Sequence, residues 1–247
     1  MKPLIVKNLS RSFGGVHALD DVSLELERGE RRAIIGTNGA GKTTLFNVIN
    51  GQIPASSGEV WILGENATRA PVHRRAALGL ARTFQITSLL PHLSVLDNMI
   101  VAVTALSPAR FVFWRPVDAH PELLARARDT LEHWNLSRYR DEPVANLSYG
   151  VQRQLEIVLA LAGKPKLLLL DEPMAGLSAG ETHLASDIIL KLDRAVTVLL
   201  IEHDLAAAFR IADRVSAMSE GRVIAEGTPD EMRREATLRR IYMGALA

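Results

Sequence analysis

The sequence predicts an α/β fold in which helices cover both faces of a parallel sheet. Continuous apolar runs at 167–170 and 196–201 have the composition of strands buried on both faces, and a third strand is predicted at 222–226. Segments with the residue pattern of helices, 181–193 and 205–212, lie between these strands. This alternation of strands and helices along the chain is typical of parallel sheets.

The N-terminal part of the chain is predicted to be rich in strands. Apolar residues alternate with polar ones over 22–26, which indicates a strand with one buried face. A short apolar strand at 32–35 leads into a glycine-rich loop, and the helix predicted over 43–50 ends at Gly51. A further strand is predicted at 59–63, after a loop rich in Pro, Ser and Gly.

A helical stretch from about residue 87 to residue 163 interrupts the α/β pattern. Within it, Ser94 precedes an apolar segment, Pro121 marks the start of a second helix and Ser148 the start of a third. We therefore predict a single domain over 1–247. Its predicted parts are an α/β core with a β subdomain at 1–86 and 164–247, and a helical insertion at 87–163.

Composition and charge exclude several classes of function. The 247 residues include no cysteine, which excludes disulfide bonds, Cys-ligated zinc or iron–sulfur centres and a Cys nucleophile. With 29 Lys and Arg against 28 Asp and Glu, the net charge of +1 gives no electrostatic basis for non-specific nucleic-acid binding. The longest apolar runs are far shorter than the ~20 residues that span a bilayer, and the N-terminus lacks the features of a signal peptide. We therefore expect a soluble, intracellular chain that binds no nucleic acid.

Residues 36–43 fit the pattern G-x-x-x-x-G-K-[ST], between a predicted strand and a predicted helix. In such a loop, backbone N–H groups and the helix N-terminus hold phosphate oxygens, and glycines let the backbone approach them closely. Lys42 is expected to reach the β- and γ-phosphates, and the Thr43 hydroxyl to bind Mg²⁺. The alternative, a glycine-rich turn with an incidental lysine, is disfavoured by the strand–loop–helix context. The predicted nucleotide-binding residues of this phosphate loop, 36–44, are Gly36, Thr37, Asn38, Gly39, Ala40, Gly41, Lys42, Thr43 and Thr44.

Two acidic residues follow the apolar run at 167–170, at the edge where ligands of parallel sheets bind. Asp171 is expected to hold Mg²⁺, and Glu172 to orient or deprotonate an attacking water. Adjacent side chains at a strand end point in different directions, so the two carboxylates can serve different roles. A merely polar strand end before Pro173 is the alternative, and the phosphate loop in the same chain argues against it.

Two further residues have a structural and a functional interpretation. Ser148 is a good helix N-cap, and a helix N-terminus also attracts anions. His203 comes just after the apolar run at 196–201, where it could contact a γ-phosphate or serve the fold alone. The other six of the seven His residues show no spacing typical of zinc ligands, so no zinc site is predicted.

Taken in order, these segments resemble the nucleotide-binding subunits of ABC transporters over essentially the whole chain. The matching segments, in the family's terms, are the aromatic loop at Phe13, Walker A at 36–44, the Q-loop at Gln85, the signature at 147–151, Walker B at 167–172, the D-loop at 175–178 and the H-loop at His203. The resemblance implies a P-loop NTPase (RecA-like) core with an N-terminal antiparallel β subdomain and a helical insertion. It also implies ATP and Mg²⁺ as cofactors.

The same resemblance implies roles for residues outside the phosphate loop. Phe13 is expected to stack on adenine, Gln85 to contact Mg²⁺ and the attacking water, and His203 to hold the γ-phosphate. In the family, the signature binds the γ-phosphate of the ATP held by the opposite subunit, which assigns Ser148 and Gly150 to that contact. Hydrolysis then requires a head-to-tail dimer with two ATP molecules between the subunits.

The signature and D-loop depart from the usual family pattern. Tyr149 replaces the first glycine of the signature and Val151 replaces its glutamine, whereas Ser148 and Gly150 are kept. Ser178 stands where the D-loop often has Asp. These differences do not affect the prediction that the chain binds ATP. They do affect the prediction that the D-loop communicates between the two ATP sites.

The departures point to the LivG-like group of bacterial branched-chain amino-acid uptake ATPases, which has urea and short-chain amide relatives. Segments 81–85, 171–177, 201–204 and 238–244 carry this likeness. The expected partners are integral-membrane permease subunits, a second ATPase subunit in a homodimer or heterodimer, and indirectly an extracytoplasmic substrate-binding protein. The expected location is the cytoplasmic face of the inner membrane. The aromatic residues at 111–114 are interpreted either as a permease contact or as internal packing.

The sequence alone leaves two alternative functions. A non-transport ABC ATPase acting on DNA or ribosomes usually carries coiled-coil arms, zinc modules or two ATPase domains, and none is visible here. A nucleotide-binding scaffold without turnover is the other alternative.

Overall fold

The computed structural model describes residues 1–83, 89–105, 107 and 120–235. The N-terminal strands are β1 (Leu4–Phe13), β2 (Val16–Leu26), β4 (Ser57–Ile62) and β5 (Glu65–Asn66). They form an antiparallel sheet in the order β2-β1-β4-β5. Alternation over 22–26 does bury Val22, Leu24 and Leu26 on one face. The predicted antiparallel subdomain is therefore confirmed.

A second sheet forms the centre of the molecule. Its strands are β3 (Arg31–Gly36), β6 (Leu80–Arg82), β7 (Leu167–Asp171), β8 (Thr197–Ile201), β9 (Arg214–Ser219) and β10 (Arg222–Gly227). Their order in the sheet is β10-β9-β3-β8-β7-β6. From β9 to β6 all neighbouring strands are parallel. The parallel sheet predicted from apolar runs is confirmed, and β3, β7 and β8 are buried along their whole length.

Alternate residues of the buried strands face two different hydrophobic clusters. In β7, Leu168 and Leu170 belong to a cluster built mainly with helices, whereas Leu167 and Leu169 belong to a second cluster. The second cluster also contains Phe46 and the apolar face of the antiparallel sheet. The strands thus lack a polar face because both of their faces are covered.

The described helices lie on both sides of the parallel sheet. They are α1 (Lys42–Asn50), α2 (Val72–Leu78), α3 (Val95–Ala105), α4 (Pro121–His133), α5 (Tyr149–Leu161), α6 (Ala179–Lys191), α7 (Leu205–Ile211) and α8 (Pro229–Arg234). Along the chain, α3 to α5 lie between β6 and β7, within the predicted insertion. The boundaries between this insertion and the core stay a prediction. None of the described helices is long and apolar enough to cross a membrane.

The C-terminal strands differ from the prediction. The chain contains β9, which was not predicted, and β10 runs antiparallel to it rather than continuing the parallel series. The turn between them consists of Glu220 and Gly221, with φ of 48° and 77°. Positive φ at both central residues is the geometry of a two-residue hairpin. The turn is fixed in place by hydrogen bonds from Gly221 N–H to the Ala40 carbonyl, 3.1 Å, and from Asp20 N–H to the Gly221 carbonyl, 3.0 Å.

Arg75 of α2 is a buried cation held by backbone carbonyls. Its guanidinium donates to Val48 and Ile49 in the last turn of α1, both at 2.6 Å, and to Ala70 at 2.8 Å. Carbonyls at a helix C-terminus lack intrahelical partners and carry partial negative charge, so they suit a buried cation. Burial lowers the pKa of Arg75.

We expect Arg75→Met to lower the free energy of unfolding by about 3 kcal/mol, because several buried carbonyls would lose their donor. Urea unfolding of the purified chain measures this change. Arg74→Met, on the exposed face of the same helix, is the control and should change stability by less than about 0.5 kcal/mol. Equal stability of the two variants would contradict this role of Arg75.

Candidate functional site

The phosphate loop connects the end of β3 to the start of α1, as the sequence predicts. Gly41 precedes α1 with φ of 97°, in the left-handed region, and a Cβ there would overlap the Ala18 carbonyl oxygen. A residue with a side chain is therefore excluded on two grounds. The first N–H groups of α1 are left without intrahelical partners at the end of this loop, which is a suitable geometry for binding phosphate.

Lys42 lies over the phosphate loop. Its ammonium donates hydrogen bonds to the carbonyl oxygens of Gly36, at 2.8 Å, and Thr37, at 2.9 Å. Burial lowers the pKa of Lys42, and the nearby carboxylates of Glu172 and Asp171 act in the opposite direction. The structure thus places the lysine, the loop and both predicted acidic residues in one neighbourhood.

Asp171 ends β7 and is buried. Its Oδ2 accepts a hydrogen bond from Arg82 at 2.8 Å, within a pair whose side chains are both nearly inaccessible to water. The same guanidinium donates to Asn47 of α1 at 2.7 Å and to Gln52 at 2.8 Å. Arg82 therefore connects the carboxylate at the end of β7 to the helix that follows the phosphate loop.

The residues of this site fit Mg²⁺. Among the described residues, Asp171 Oδ1 is buried and has no hydrogen-bond partner, so an oxygen ligand is available. The described chain contains no group of three or more His, Asp or Glu that could hold a metal. Mg²⁺ commonly binds through one or two carboxylates together with water and substrate phosphates.

Glu172 adopts an unusual backbone conformation beside His203. Its φ is 47°, a conformation that non-glycine residues rarely adopt. The backbone is fixed by a hydrogen bond from Glu172 N–H to the Ile201 carbonyl, 3.1 Å, and by Arg153, which donates to the Glu172 carbonyl at 3.0 Å. Its Oε2 lies 3.8 Å from Nδ1 of His203, so the two predicted residues meet.

A family model described as "ABC transporter" matches residues 19–175, more than half of the chain. This chain belongs to the ABC transporter family. It is an ATP-binding and ATP-hydrolysing cassette, and the resemblance predicted from the motifs is confirmed.

Relatives and solved structures of ABC cassettes match the chain along its length. LivG of Salmonella typhimurium, named as a high-affinity branched-chain amino acid transport ATP-binding protein, is 36% identical over 98% of this chain and 97% of its own. The ADP conformation of the ABC cassette MJ1267 has a TM-score of 0.88 and 31% identity, with 99% of both chains covered. A dimeric, post-hydrolysis structure of the cassette MJ0796 with ADP and phosphate has a TM-score of 0.78 and 25% identity, covering 92% of this chain and 98% of that one.

Among the described residues, the remaining predicted site residues of the ABC cassette lie at the end of β1 and at the N-terminus of α5. Phe13 ends β1 before the Gly14–Gly15 turn; its ring is 44% exposed and lies 4.5 Å from the Arg11 guanidinium. Ser148 is the N-cap of α5 and accepts a hydrogen bond from Val151 N–H, so the capping role is real. Gly150 lies in the first turn of that helix. Gln85 and the aromatic residues at 111–114 lie outside the described residues.

Glu202 is a buried carboxyl of this ABC cassette that sequence reasoning missed. It follows β8 directly, and its Oε1 accepts a hydrogen bond from Met174 N–H at 3.0 Å. Burial raises the pKa of Glu202 to about 7, and the carboxylates of Glu172 and Asp204 act in the same direction. The N–H groups of Met174 and His203 act against this rise. An acidic residue immediately after a strand predicted to be buried was the available signal.

The raised pKa of Glu202 predicts a specific dependence of stability on pH. The folded chain holds this proton more tightly than the unfolded chain, where the pKa of a Glu carboxyl is about 4.3. The bound proton therefore contributes fully to the free energy of unfolding below that pH, and this contribution is lost as the pH rises through about 7. We expect Glu202→Gln to remove this loss, which is on the order of 3 kcal/mol.

Urea unfolding at pH 5 and pH 8 measures this effect as the difference between Glu202→Gln and the wild type. Glu65→Gln, at an exposed position in β5, is the matched control and should keep the wild-type pH dependence. An equal change in the free energy of unfolding between pH 5 and pH 8 for the wild type and Glu202→Gln would contradict the prediction.

Proposed function

We propose that this ABC cassette hydrolyses ATP to drive the uptake of a small polar solute, and that the solute is a branched-chain amino acid. The convergence of Lys42, Asp171, Glu172 and His203 at the phosphate loop carries the proposal for ATP turnover. The nearly full-length likeness to LivG supports the choice of solute. Urea, amides and other amino acids are the alternative cargo.

Each side chain has a proposed role in handling ATP. The phosphate loop would bind the phosphates, with Lys42 on the β- and γ-phosphates and Phe13 against adenine. Mg²⁺, held by Thr43 and Asp171 with Gln85 nearby, would neutralise phosphate charge. Glu172 would accept a proton from the attacking water, while His203 would hold the γ-phosphate.

We propose that two ATPase subunits complete each site, as a homodimer or a heterodimer. The N-terminus of α5 supports this, because the helix end that Ser148 caps carries a partial positive charge that attracts an anion. The dimeric form of MJ0796 also supports it. Ser148 and Gly150 would contact the γ-phosphate of the ATP bound by the partner subunit.

A groove beside β6 suits a membrane partner. It has a volume of about 450 Å³ and is lined by residues of β6, α2, α3 and α5. Two apolar side chains at this groove, Leu90 and Val101, are 42% and 50% exposed. We propose that a cytoplasmic segment of a permease binds here, which would hold the cassette at the cytoplasmic face of the inner membrane. A substrate-binding protein would act through that permease.

Purification of an affinity-tagged copy of the full chain from its native membrane tests this function. We expect permease subunits, a second copy or a sister ATPase, and ATP hydrolysis that increases when a branched-chain amino acid and its binding protein are added. Stimulation by urea or an amide would reassign the cargo. Recovery with ribosomes or DNA, or ATP binding without turnover in the intact complex, would overturn the proposal.

A further inference from the structure

The signature segment touches the D-loop of the same chain through a residue that departs from the family pattern. Tyr149, the first residue of α5, donates a hydrogen bond from its hydroxyl to the Ala175 carbonyl at 3.2 Å. Its ring also packs against Gly176, where an added Cβ would lie 3.2 Å from a ring carbon. A glycine at position 149 could make neither contact.

A second contact joins the same two segments. The Glu181 carboxylate closes the capping box of α6 by accepting hydrogen bonds from Ser178 N–H, at 3.0 Å, and from the Ser178 hydroxyl, at 2.7 Å. The pKa of Glu181 is lowered by these bonds and by the backbone N–H of Gly150. A Cβ on Gly150 would overlap the Glu181 carboxylate, so this side chain lies directly against the Gly150 backbone.

The D-loop continues directly from the predicted catalytic carboxylate. Ala175 N–H donates to the Glu172 carbonyl at 3.1 Å, and Arg153 of α5 donates to the same oxygen. The N-terminal half of α5 is therefore connected to Glu172 by two routes, one through Arg153 and one through Tyr149 and Ala175. A shift of α5 would change the position of the Glu172 backbone.

We propose that Tyr149 and Glu181 form a clasp, the signature clasp, that joins the N-terminus of α5 to segment 172–178. Phosphate contact at Ser148 and Gly150 then changes the position of Glu172 in the same chain. This inference rests on the proposed function, because the phosphate at α5 belongs to ATP bound by the partner subunit. Tyr149 is a positioning residue in this scheme and touches no reacting atom.

Tyr149→Phe tests the signature clasp because it removes only the hydroxyl. We expect kcat for ATP hydrolysis to fall about two- to tenfold, the range for one neutral hydrogen bond, with the half-saturating ATP concentration changed by less than about twofold. Amide hydrogen exchange over 174–178 should become faster. Tyr139→Phe, at the end of the short helical turn Ser137–Tyr139, is the matched control and should leave both measurements unchanged.

Glu181→Gln tests the second contact, and the chain offers a matched control for it. Glu231 closes a similar capping box with Thr228 at the start of α8, so Glu231→Gln should weaken its helix cap to a similar degree. We expect only Glu181→Gln to lower kcat. A rise in kcat would show that the carboxylate repels the arriving phosphate, and would overturn the clasp.

These measurements separate failure of the clasp from failure of the proposed function. Wild-type protein that neither hydrolyses ATP nor dimerises with ATP would overturn the proposed function. Active wild-type protein with equal kcat in Tyr149→Phe and Tyr139→Phe would overturn the clasp alone. Unchanged exchange over 174–178 in Tyr149→Phe would overturn the clasp whether or not the chain turns over ATP.

Discussion

Glu172→Gln is expected to lower ATP turnover by at least about a hundredfold, the scale of general-base catalysis, while leaving ATP affinity close to that of the wild type. The amide keeps the size and hydrogen-bonding shape of the side chain, but it cannot accept a proton from water. The backbone at Glu172 is held by hydrogen bonds to its own N–H and carbonyl, so the substitution should not displace it. Steady-state hydrolysis and equilibrium ATP binding measure the two effects.

The same variant should accumulate as an ATP-bound dimer, because hydrolysis would no longer open the dimer. Size-exclusion chromatography with and without ATP measures this shift. Glu231→Gln, remote from the site, is the control and should retain turnover. Wild-type hydrolysis rates in Glu172→Gln would rule out Glu172 as the proton acceptor.

Lys42→Ala is expected to weaken ATP binding by about ten- to hundredfold, the range for a charge-assisted hydrogen bond. The ammonium lies over the phosphate loop on two carbonyl oxygens, so it needs little movement to meet a phosphate. Its removal also leaves the loop beside the carboxylates of Asp171 and Glu172 with less positive charge. Equilibrium titration with ATP and Mg²⁺ measures the affinity.

Lys191→Ala, at an exposed position near the end of α6, removes the same charge away from the loop and serves as the control. Thermal unfolding of both variants separates a loss of binding from a loss of fold. Unchanged ATP affinity in a folded Lys42→Ala protein would contradict the interpretation of 36–44 as a phosphate loop.

The parts of the site that were predictable are those specified by neighbouring residues. The phosphate loop is a continuous segment, and parallel strands end at one edge of a sheet, so the proximity of Glu172 and His203 follows from the order of motifs. The Arg82–Asp171 pair joins residues 89 positions apart. No local pattern marks such a pair, since its formation depends on the register between β6 and β7.

Other features depend on backbone geometry that residue types alone do not determine. The β9–β10 hairpin was missed because Glu at the first turn position is a weak signal, although Gly221 occupies the second. The unusual residue Tyr149 was visible in the sequence. Its contact with Ala175 depends on the course of the D-loop, which includes a positive φ at Gly176.

The β9–β10 hairpin also limits how far this protein can be shortened. Gly221 hydrogen-bonds to Ala40 within the phosphate loop and to Asp20 in β2, so a turn near the end of the described chain supports a loop near its beginning. The family model ends its match at residue 175, well before that turn. A fragment trimmed to the matched region would therefore keep every residue of the phosphate loop and lose one of its supports. We therefore expect a nucleotide-binding fragment of this chain to need the β9–β10 hairpin as well as the segment that contains the phosphate loop.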